Sequence, residues 1–560
     1  MSFINDKPVL CLLTTLVWLA SLAVSPRLLE AQSGKAELFG VVRDPHNLTI
    51  SEAQIIAQDI STNAQFSSTT DTAGTYHLLG LPAGNYHLTA SKNGFQAYEQ
   101  TGITLRLGDR TEQNIRLAIG NQLQTVNVNE AASPLQTASG SVNFNVDSTR
   151  IVTLPLDGRN FIPLIALSPG VALPGGGSLL PRINGSRPRT NEYIYDGISA
   201  LQPEPGQVVF YPIIDGIEEF RVNINSYSPE YGRSNGGAVL VNTKSGDNQL
   251  HGTVFEFLRN EDLNGTNYFA AAGSKPEFRR NQYGLAVGGP IQKDKTFFFV
   301  DWQGTRLRTG IPRLSTVPTL AQRSGQFANA IYDPATPNRT QFPGNRIPVT
   351  RFDPVATQVL NRYPLPNRPG TANNYIQTGV EPDAQDQFDA RLDRYFGSRQ
   401  RVFARFTELR DDDTPVFPLP DGSGALTSGV ISETITRGYQ GVAEHQWTLT
   451  PNFLNQARFG FTERQSNGLG VANNGLVVPG TPSNSFGDVL PTFNVTGFQQ
   501  IGLTAGANSR FTTDVTEYLD TASWAHGRHT VTFGTDIRRE ALDVLQPANP
   551  AGSYTFNTTG

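Results

Sequence analysis

The side chains best equipped for chemistry are few and scattered. The seven histidines stand at 46, 77, 87, 251, 445, 526 and 529, and none opens an HxxE or HExxH pattern, the spacing that sets two zinc ligands on one helical face. His526 and His529 are the nearest pair, but Gly527 and Arg528 between them have the composition of a hairpin turn. A single cysteine, Cys11, excludes a disulfide, a CxxC pair or a cysteine zinc site within the chain. The run Pro174-Gly175-Gly176-Gly177-Ser178 lacks the Gly-Lys-Ser/Thr that would complete a phosphate loop. Asp196, Glu218 and Glu219 are carboxylates of the kind that exchange protons in acid–base catalysis, but no partner constellation accompanies them, and they read as structural contacts. No catalytic residue, cofactor or metal site is expected.

The elements that would carry these residues are β-strands. Of 560 residues, 54 are Gly and 37 are Pro, 17% are charged and 38% hydrophobic. That length suggests three or four domains, or fewer if one is a large barrel. Gly and Pro interrupt every long stretch, which excludes a coiled coil, and aromatic content of 9% argues against a disordered chain. The formal charge of −5 supplies no basic field, so nucleic acid is not an expected partner. A mainly β, turn-rich protein remains.

The amino terminus reads as an export signal over residues 1–31. Lys7 precedes an apolar run from Val9 to Val24, short for a membrane helix of about 20 residues and suited to secretion. Cleavage fits after Ala23 or after Ala31; the alternative is an uncleaved anchor. Cys11 sits inside the run, so no lipoprotein signal is present. No later stretch of about 18 apolar residues occurs, so any further membrane span must be β.

Between residues 36 and 118, Tyr76, Leu78, Tyr86 and Leu88 alternate with polar residues, and Gly80, Pro82, Ala83 and Gly84 supply a turn. This predicts a small β-sandwich. Its strings DTAGTY, GLPAGNY and KNGF resemble the carboxypeptidase-regulatory-like (transthyretin-like) domain, of carbohydrate-binding-like fold. The next unit, residues 122–246, carries LDGRNFIPLIALSPGV, INGSRPRTNEYIYDGI and IEEFRVNINSYSPEYGRSNGGAVLVNTKSG in that order. These resemble the plug of TonB-dependent outer-membrane receptors, at Asp196, Gly197, Glu218, Glu219, Tyr231, Gly232, Gly236 and Gly237. Glycines there would permit turns and close backbone approach. Given a plug, Thr125, Val126, Asn127 and Val128 sit where that family carries its TonB box, an extended peptide that a TonB-type energy transducer binds by β-augmentation. Read alone, the same segment is an ordinary last strand or linker.

Residues 247–560 alternate again. Phe388, Ala390 and Leu392 oppose Asp389, Arg391 and Asp393; Tyr439, Ala443 and Trp447 oppose Gln440, Glu444 and Gln446; Phe453, Ala457, Phe459 and Phe461 oppose Gln456, Arg458 and Thr462; His529, Val531, Phe533 and Ile537 oppose Thr530, Thr532, Asp536 and Arg538. Strands of about ten residues with one apolar face are expected of a transmembrane β-barrel; a soluble β-sandwich shows the same alternation, and the export signal and the plug resemblance favour the barrel. Turns are expected at 396–398, 450–452 and 525–528, and Trp302, Tyr395, Trp447 and Trp524 are expected in interfacial girdles. Eleven prolines between 309 and 385 predict a long loop, with a helix over Pro354–Arg362 inside it.

HGTVFEFLRNEDLN, FRRNQYGLAVGGPIQKDKTFFFVDWQGTR and NRIPVTRFDPVATQVLNRYPLPN resemble the Oar-like branch of TonB-dependent receptors. The resemblance implies a receptor and transporter in the outer membrane of a Gram-negative bacterium, with the sandwich in the periplasm. It further implies import of an extracellular small ligand of unknown class, energised by the transducer. Outer-membrane lipid and the barrel assembly machinery would be further partners. A surface adhesion or organising protein on the same fold is the alternative. The family's barrels have 22 strands, needing ~220 residues before any loop, whereas this region has 560 − 246 = 314 residues and nine or ten strand candidates. The sequence therefore reads as a fragment, or a truncated product, of a protein of about 1,000 residues.

Overall fold

Period-two alternation in the N-terminal region produces two facing sheets. A computed structural model describes residues 35–120, 124–126, 140–175, 179–203, 206–266, 275–426, 431–472, 474, 476, 488–527 and 529–557. The expected export signal with Cys11, the residues Asn127 and Val128, the end of the glycine run and Arg528 lie outside the described residues. The first strands are β1 (Ala36–Arg43), β2 (Gln54–Asp59), β3 (Gln65–Thr69), β4 (Thr75–Leu81), β5 (Gly84–Ser91), β6 (Tyr98–Leu105), β7 (Arg110–Glu112), β8 (Ile115–Arg116) and β9 (Gln124–Val126). One sheet runs β4-β1-β7, with β8 also on β1, and the other runs β3-β2-β5-β6-β9. Tyr76, Leu78, Tyr86 and Leu88 all point into the core between them, beside Leu38, Ile55 and Leu105. The polar tips of the two tyrosines are satisfied by the Gln113 and Pro82 carbonyls, at 2.7 and 2.8 Å.

The next unit contains β10 (Val142–Asp147), β11 (Val171–Ala172), β12 (Arg182–Ile183), β13 (Glu192–Tyr195), β14 (Ile198–Ser199), β15 (Ile217–Asn225) and β16 (Ala238–Thr243). Its main sheet has the order β10-β15-β16-β13-β14. Phe161 packs on Phe220 at 5.2 Å and Tyr195 on Phe210 at 5.5 Å between ring centroids, inside a core that includes Ile151, Ile165, Val222 and Val239. Asp196 and Gly197 join β13 to β14 with φ of 49° and 88°. Two consecutive left-handed residues make the tight hairpin that an Asp-Gly pair favours.

The remaining strands are β17 (His251–Asn260), β18 (Phe278–Gln292), β19 (Thr296–Ser315), β20 (Tyr375–Phe396), β21 (Gln400–Asp413), β22 (Glu433–Thr450), β23 (Phe453–Leu469), β24 (Thr492–Val495), β25 (Arg510–His526), β26 (His529–Leu545) and β27 (Ser553–Phe556). Nine of them form one antiparallel meander, β17 through β23 followed by β25 and β26. The alternation is realised: Phe388 and Leu392 are 38% and 46% exposed on the outer face, whereas Asp389 and Asp393 are 9% and 1% exposed on the inner one. The strands reach 22 residues in β20, not the ten expected, because about ten suffice to cross hydrocarbon and the rest project beyond it. Short turns join β18 to β19, β20 to β21, β22 to β23 and β25 to β26 at one end, and long connections lie at the other. That asymmetry is the one outer-membrane barrels show between periplasm and exterior.

Two expectations need correction. The proline-rich loop is shorter than 309–385, since β19 continues to Ser315 and β20 starts at Tyr375. Pro312 and Pro382 are strand residues paired with Thr378 and Arg308. Each lies beyond the last paired residue of the neighbour on its other side, Phe278 of β18 and Asp413 of β21, where the ladder asks for no further N–H and proline is tolerated, although the Pro382 carbonyl still accepts the Thr414 N–H at 3.1 Å. The helix over Pro354–Arg362 is present, with the Asp353 carboxylate accepting from Val355 and Ala356 N–H. Tyr395 is not a girdle residue. It falls in register with Asp389, Arg391 and Asp393 on the inner face, and it packs against Phe297 and the sandwich core. Trp447 and Trp524 do face outward.

Candidate functional site: the plug seat and its periplasmic mouth

The β13–β14 hairpin drives Asp196 into the inner wall of the barrel. Its carboxylate accepts the Thr243 N–H at 3.0 Å and hydroxyl at 2.8 Å, and it pairs with Arg391 of β20 at 3.1 Å and Arg405 of β21 at 2.7 Å. Burial works to raise the Asp196 pKa, but the two guanidinium groups and the Thr243 N–H outweigh it and hold it below the usual carboxylate range. Asp393 fixes Arg391 and Arg401 from the wall, at 2.8 and 2.6 Å, and the Arg391 guanidinium lies over the Phe403 ring at 4.5 Å. Nearby, Ser199 N–H donates to Glu517 at 2.9 Å, and Arg538 bridges Glu517 at 2.7 Å and Glu192 at 3.4 Å. Arg159 pairs with Asp215 inside the plug while stacking on Phe255 and Phe257 of β17, at 4.3 and 4.4 Å. The plug is therefore held to strands at both ends of the meander, by a cation–π stack at β17 and by a charge-assisted contact at β26.

Two glycines show why side chains are excluded here. Gly197, with φ of 88°, holds a backbone conformation that side chains rarely adopt, and a Cβ on Gly237 would lie 2.6 Å from the Asn223 carbonyl. Gly236 likewise abuts Asn191, whereas Gly232 has nothing within 4 Å. Tyr231 joins Leu107, Ile194 and Leu240 in a small apolar cluster between plug and sandwich. Glu218 is exposed. Glu219 is buried and accepts the Leu107 N–H at 2.5 Å, while Arg221 donates to the Leu107 carbonyl at 2.6 Å. The expected plug residues thus divide between two surfaces, Asp196 and Gly197 on the barrel wall and Glu219 and Tyr231 on the sandwich.

The sandwich covers the end with the short turns. His77 bridges the Glu37 carboxylate at 2.9 Å and the Gly527 carbonyl at 3.0 Å. Arg110 pairs with Glu37 at 2.7 Å, and Thr530 donates to Glu37 at 3.1 Å. Gln446 donates to the Gly80 carbonyl at 2.9 Å, Asn63 to Asp294 at 2.9 Å, and Lys35 pairs with Glu444 at 3.4 Å. Leu79 is buried with Leu454 and Ala525. Arg391, Arg405, Arg538, His77 and Glu37 carry no local sequence signature for these roles. Only Arg391 and Arg538 were readable as inward-facing strand positions.

Two groups weaken this docking as pH rises, and Lys35, whose pKa burial and the Arg401 charge lower to about 7, opposes them above that point. At His77 burial opposes the imidazolium, but the Glu37 carboxylate and Gly527 carbonyl prevail and raise its pKa above 6.5. Burial pushes Glu219 up to about 8, with Glu218 and Asp109 adding to the rise. Both pKa values are raised on folding. The His77 contribution is full below 6.5 and is lost as pH rises through its folded value; that of Glu219 is full below 4.5 and is lost by about 8. With the opposing titration removed by Lys35→Met, the solubilised protein should therefore melt at a lower temperature at pH 9 than at pH 6, and adding His77→Gln should flatten that difference. An unchanged slope in the variant would remove His77 from the account.

A nine-stranded meander with an apolar outer face, a charged inner face and a folded domain seated against that inner face defines an outer-membrane β-barrel with an internal plug. The family model described as "Outer membrane beta barrel domain" matches residues 242–560, more than half of the chain, which belongs to that family. The model "Carboxypeptidase regulatory-like domain" matches residues 37–118. The TonB-dependent transporter Oar of Myxococcus xanthus is 31% identical over 263 residues, covering 44% of this chain and 24% of that protein. Among solved structures, the outer membrane transporter YddB of Escherichia coli is 14% identical with a TM-score of 0.47, over 75% of this chain and 50% of the other. A mutant ferric enterobactin receptor (PfeA) of Pseudomonas aeruginosa is 13% identical with a TM-score of 0.41, over 72% and 49%. The chain thus spans about half the length of these structures and a quarter of the curated relative.

Proposed function

We propose that the protein is a TonB-dependent receptor that imports an extracellular small ligand and has no enzymatic role. The observation that carries this is the seat itself: a plug fixed to the inner wall by buried ion pairs around Asp196, with the box candidate beginning at Thr125 on the periplasmic side of it. Ligand binds the outer connections, which pack around Val317, Tyr363, Leu419, Phe493 and Ile501. A periplasmic transducer grips the segment Thr125–Val128 and pulls. The plug then leaves part of its seat, and a polar path opens along the inner wall, whose lining sets what passes. Lipid surrounds the outer face, and the barrel assembly machinery inserts the strands. The likeness to a TonB-dependent transporter supports this reading.

The test has two stages. A strain lacking the gene is screened on single nutrient sources to find the one it fails to use. Accumulation of that nutrient is then measured in cells producing the protein with Leu123–Val128 deleted. The expected result is a fall to the level of cells whose proton gradient has been collapsed. Undiminished accumulation, with the protein present at the surface, would contradict energised transport and favour an adhesive role on the same fold.

A further inference from the structure

The box candidate is not free in this structure. Its described part, β9, lies parallel to β6 as the outermost strand of the sandwich sheet, with Gln124, Thr125 and Val126 opposite Tyr98, Glu99 and Gln100. The chain just before it follows the same border. Gln96 N–H donates to the Ala118 carbonyl at 2.8 Å and Gly120 N–H to the Gly94 carbonyl at 3.3 Å, and Phe95 bridges Ile119. Residues 118–120 and 124–126 therefore line the edge that β6 would otherwise leave open, and an open edge is a template for any incoming strand.

We propose that the β6 edge of the sandwich is the resting site of the box, and that the energy transducer must displace the box from it before it can pull. This rests on the reading of Thr125–Val128 as the box. β-augmentation draws affinity from backbone hydrogen bonds, and β6 draws on the same kind of bonds. Gln124 follows Gly120 by four positions, so β6 competes as an intramolecular partner. A short tether gives an effective concentration on the order of millimolar. The affinity an external partner registers is then reduced by the fraction of molecules whose box is docked. The sandwich becomes a part that withholds the box, and anything that loosens β9 from β6 makes the receptor more available to its transducer.

Glu99 and Thr125 are direct register partners, and strands about 4.8 Å apart lie within the Cα range of a disulfide. The only native cysteine is Cys11, so E99C/T125C introduces one new thiol pair. The solubilised full chain is oxidised, its cross-link yield is measured, and its binding to the purified periplasmic domain of the host's energy transducer is compared before and after reduction. The expected result is a cross-link in most molecules, binding at least tenfold weaker when oxidised, and recovery on reduction. A second variant, Glu99→Pro, removes a backbone donor from β6 and should bind the transducer several-fold more tightly than the unaltered protein. Equal binding by oxidised and reduced forms would overturn the proposal, since the transducer would then be reading the outer border of β9. Failure to cross-link in a protein with unaltered melting would overturn it as well. Binding by neither form, nor by the unaltered protein, would instead remove the box reading and the competition with it.

Discussion

Replacing Asp196 by Asn is expected to loosen the plug's seat by about 3–5 kcal/mol, the range for removing one member of a buried ion pair while its partners stay charged. Asn tolerates the left-handed conformation that Asp196 adopts, with φ of 49°, and its amide oxygen can still accept from Thr243. The substitution therefore removes the charge and turns one of the two acceptor oxygens, which serve Thr243, Arg391 and Arg405, into a donor. Arg391 and Arg405 remain in the wall, buried. Arg391 retains Asp393 at 2.8 Å, and Arg405 is left with Asp389 at 3.7 Å. The loss is read as earlier protease cleavage within residues 140–246 of the solubilised protein, and as a lower melting temperature. Combining Asp196→Asn with Arg405→Met should cost less than the sum of the two, because the pair shares one interaction. An exposed pair such as Arg410 with Asp412, at 2.8 Å, makes the useful contrast: its removal should cost at most about 1 kcal/mol. A neutral outcome for Asp196→Asn would mean that apolar packing, not charge, holds the plug.

Much of the fold could be read because barrel strands obey a period of two. Once Asp389, Arg391 and Asp393 are placed inward, the direction of every residue in that strand follows. The same parity would have placed Tyr395 inward. An aromatic ring near a strand end has the chemistry of a girdle residue, but register, not chemical type, sets its direction. The Asp-Gly hairpin and the helix starting at Pro354 were legible for local reasons, a left-handed turn and a side-chain cap. The seat itself was not. Asp196 and Arg391 are 195 positions apart, and an inward arginine that meets a plug carboxylate looks the same in sequence as one that lines water. The docking of the sandwich was hidden for a similar reason: Glu37, His77 and Arg110 converge only when β1, β4 and β7 lie side by side. For the segment at Thr125 the pattern supported both a box and a last strand, and in the structure its described part is a last strand. Backbone pairing constrains side chains so loosely that the two descriptions are compatible.

In the proposed function the plug closes the barrel while seated and must move for anything to pass. Locking it in place should therefore abolish import without disturbing the fold. Ile198 and Gly460 offer the lock. Ile198 of β14 is buried beside Phe403 and Val442 of the wall, and its side-chain carbons lie 2.6 to 2.7 Å from where a Cβ on Gly460 of β23 would sit. Shortening Ile198 to Cys makes room for a Cys at 460, and the two Cβ atoms then fall within disulfide reach. The I198C/G460C protein is oxidised on the cell surface, and accumulation of the nutrient identified by the deletion strain is measured before and after reduction. The account predicts accumulation near the level of cells lacking the protein while the bond is intact, with recovery once it is reduced. Undiminished accumulation by the fully cross-linked protein would contradict it.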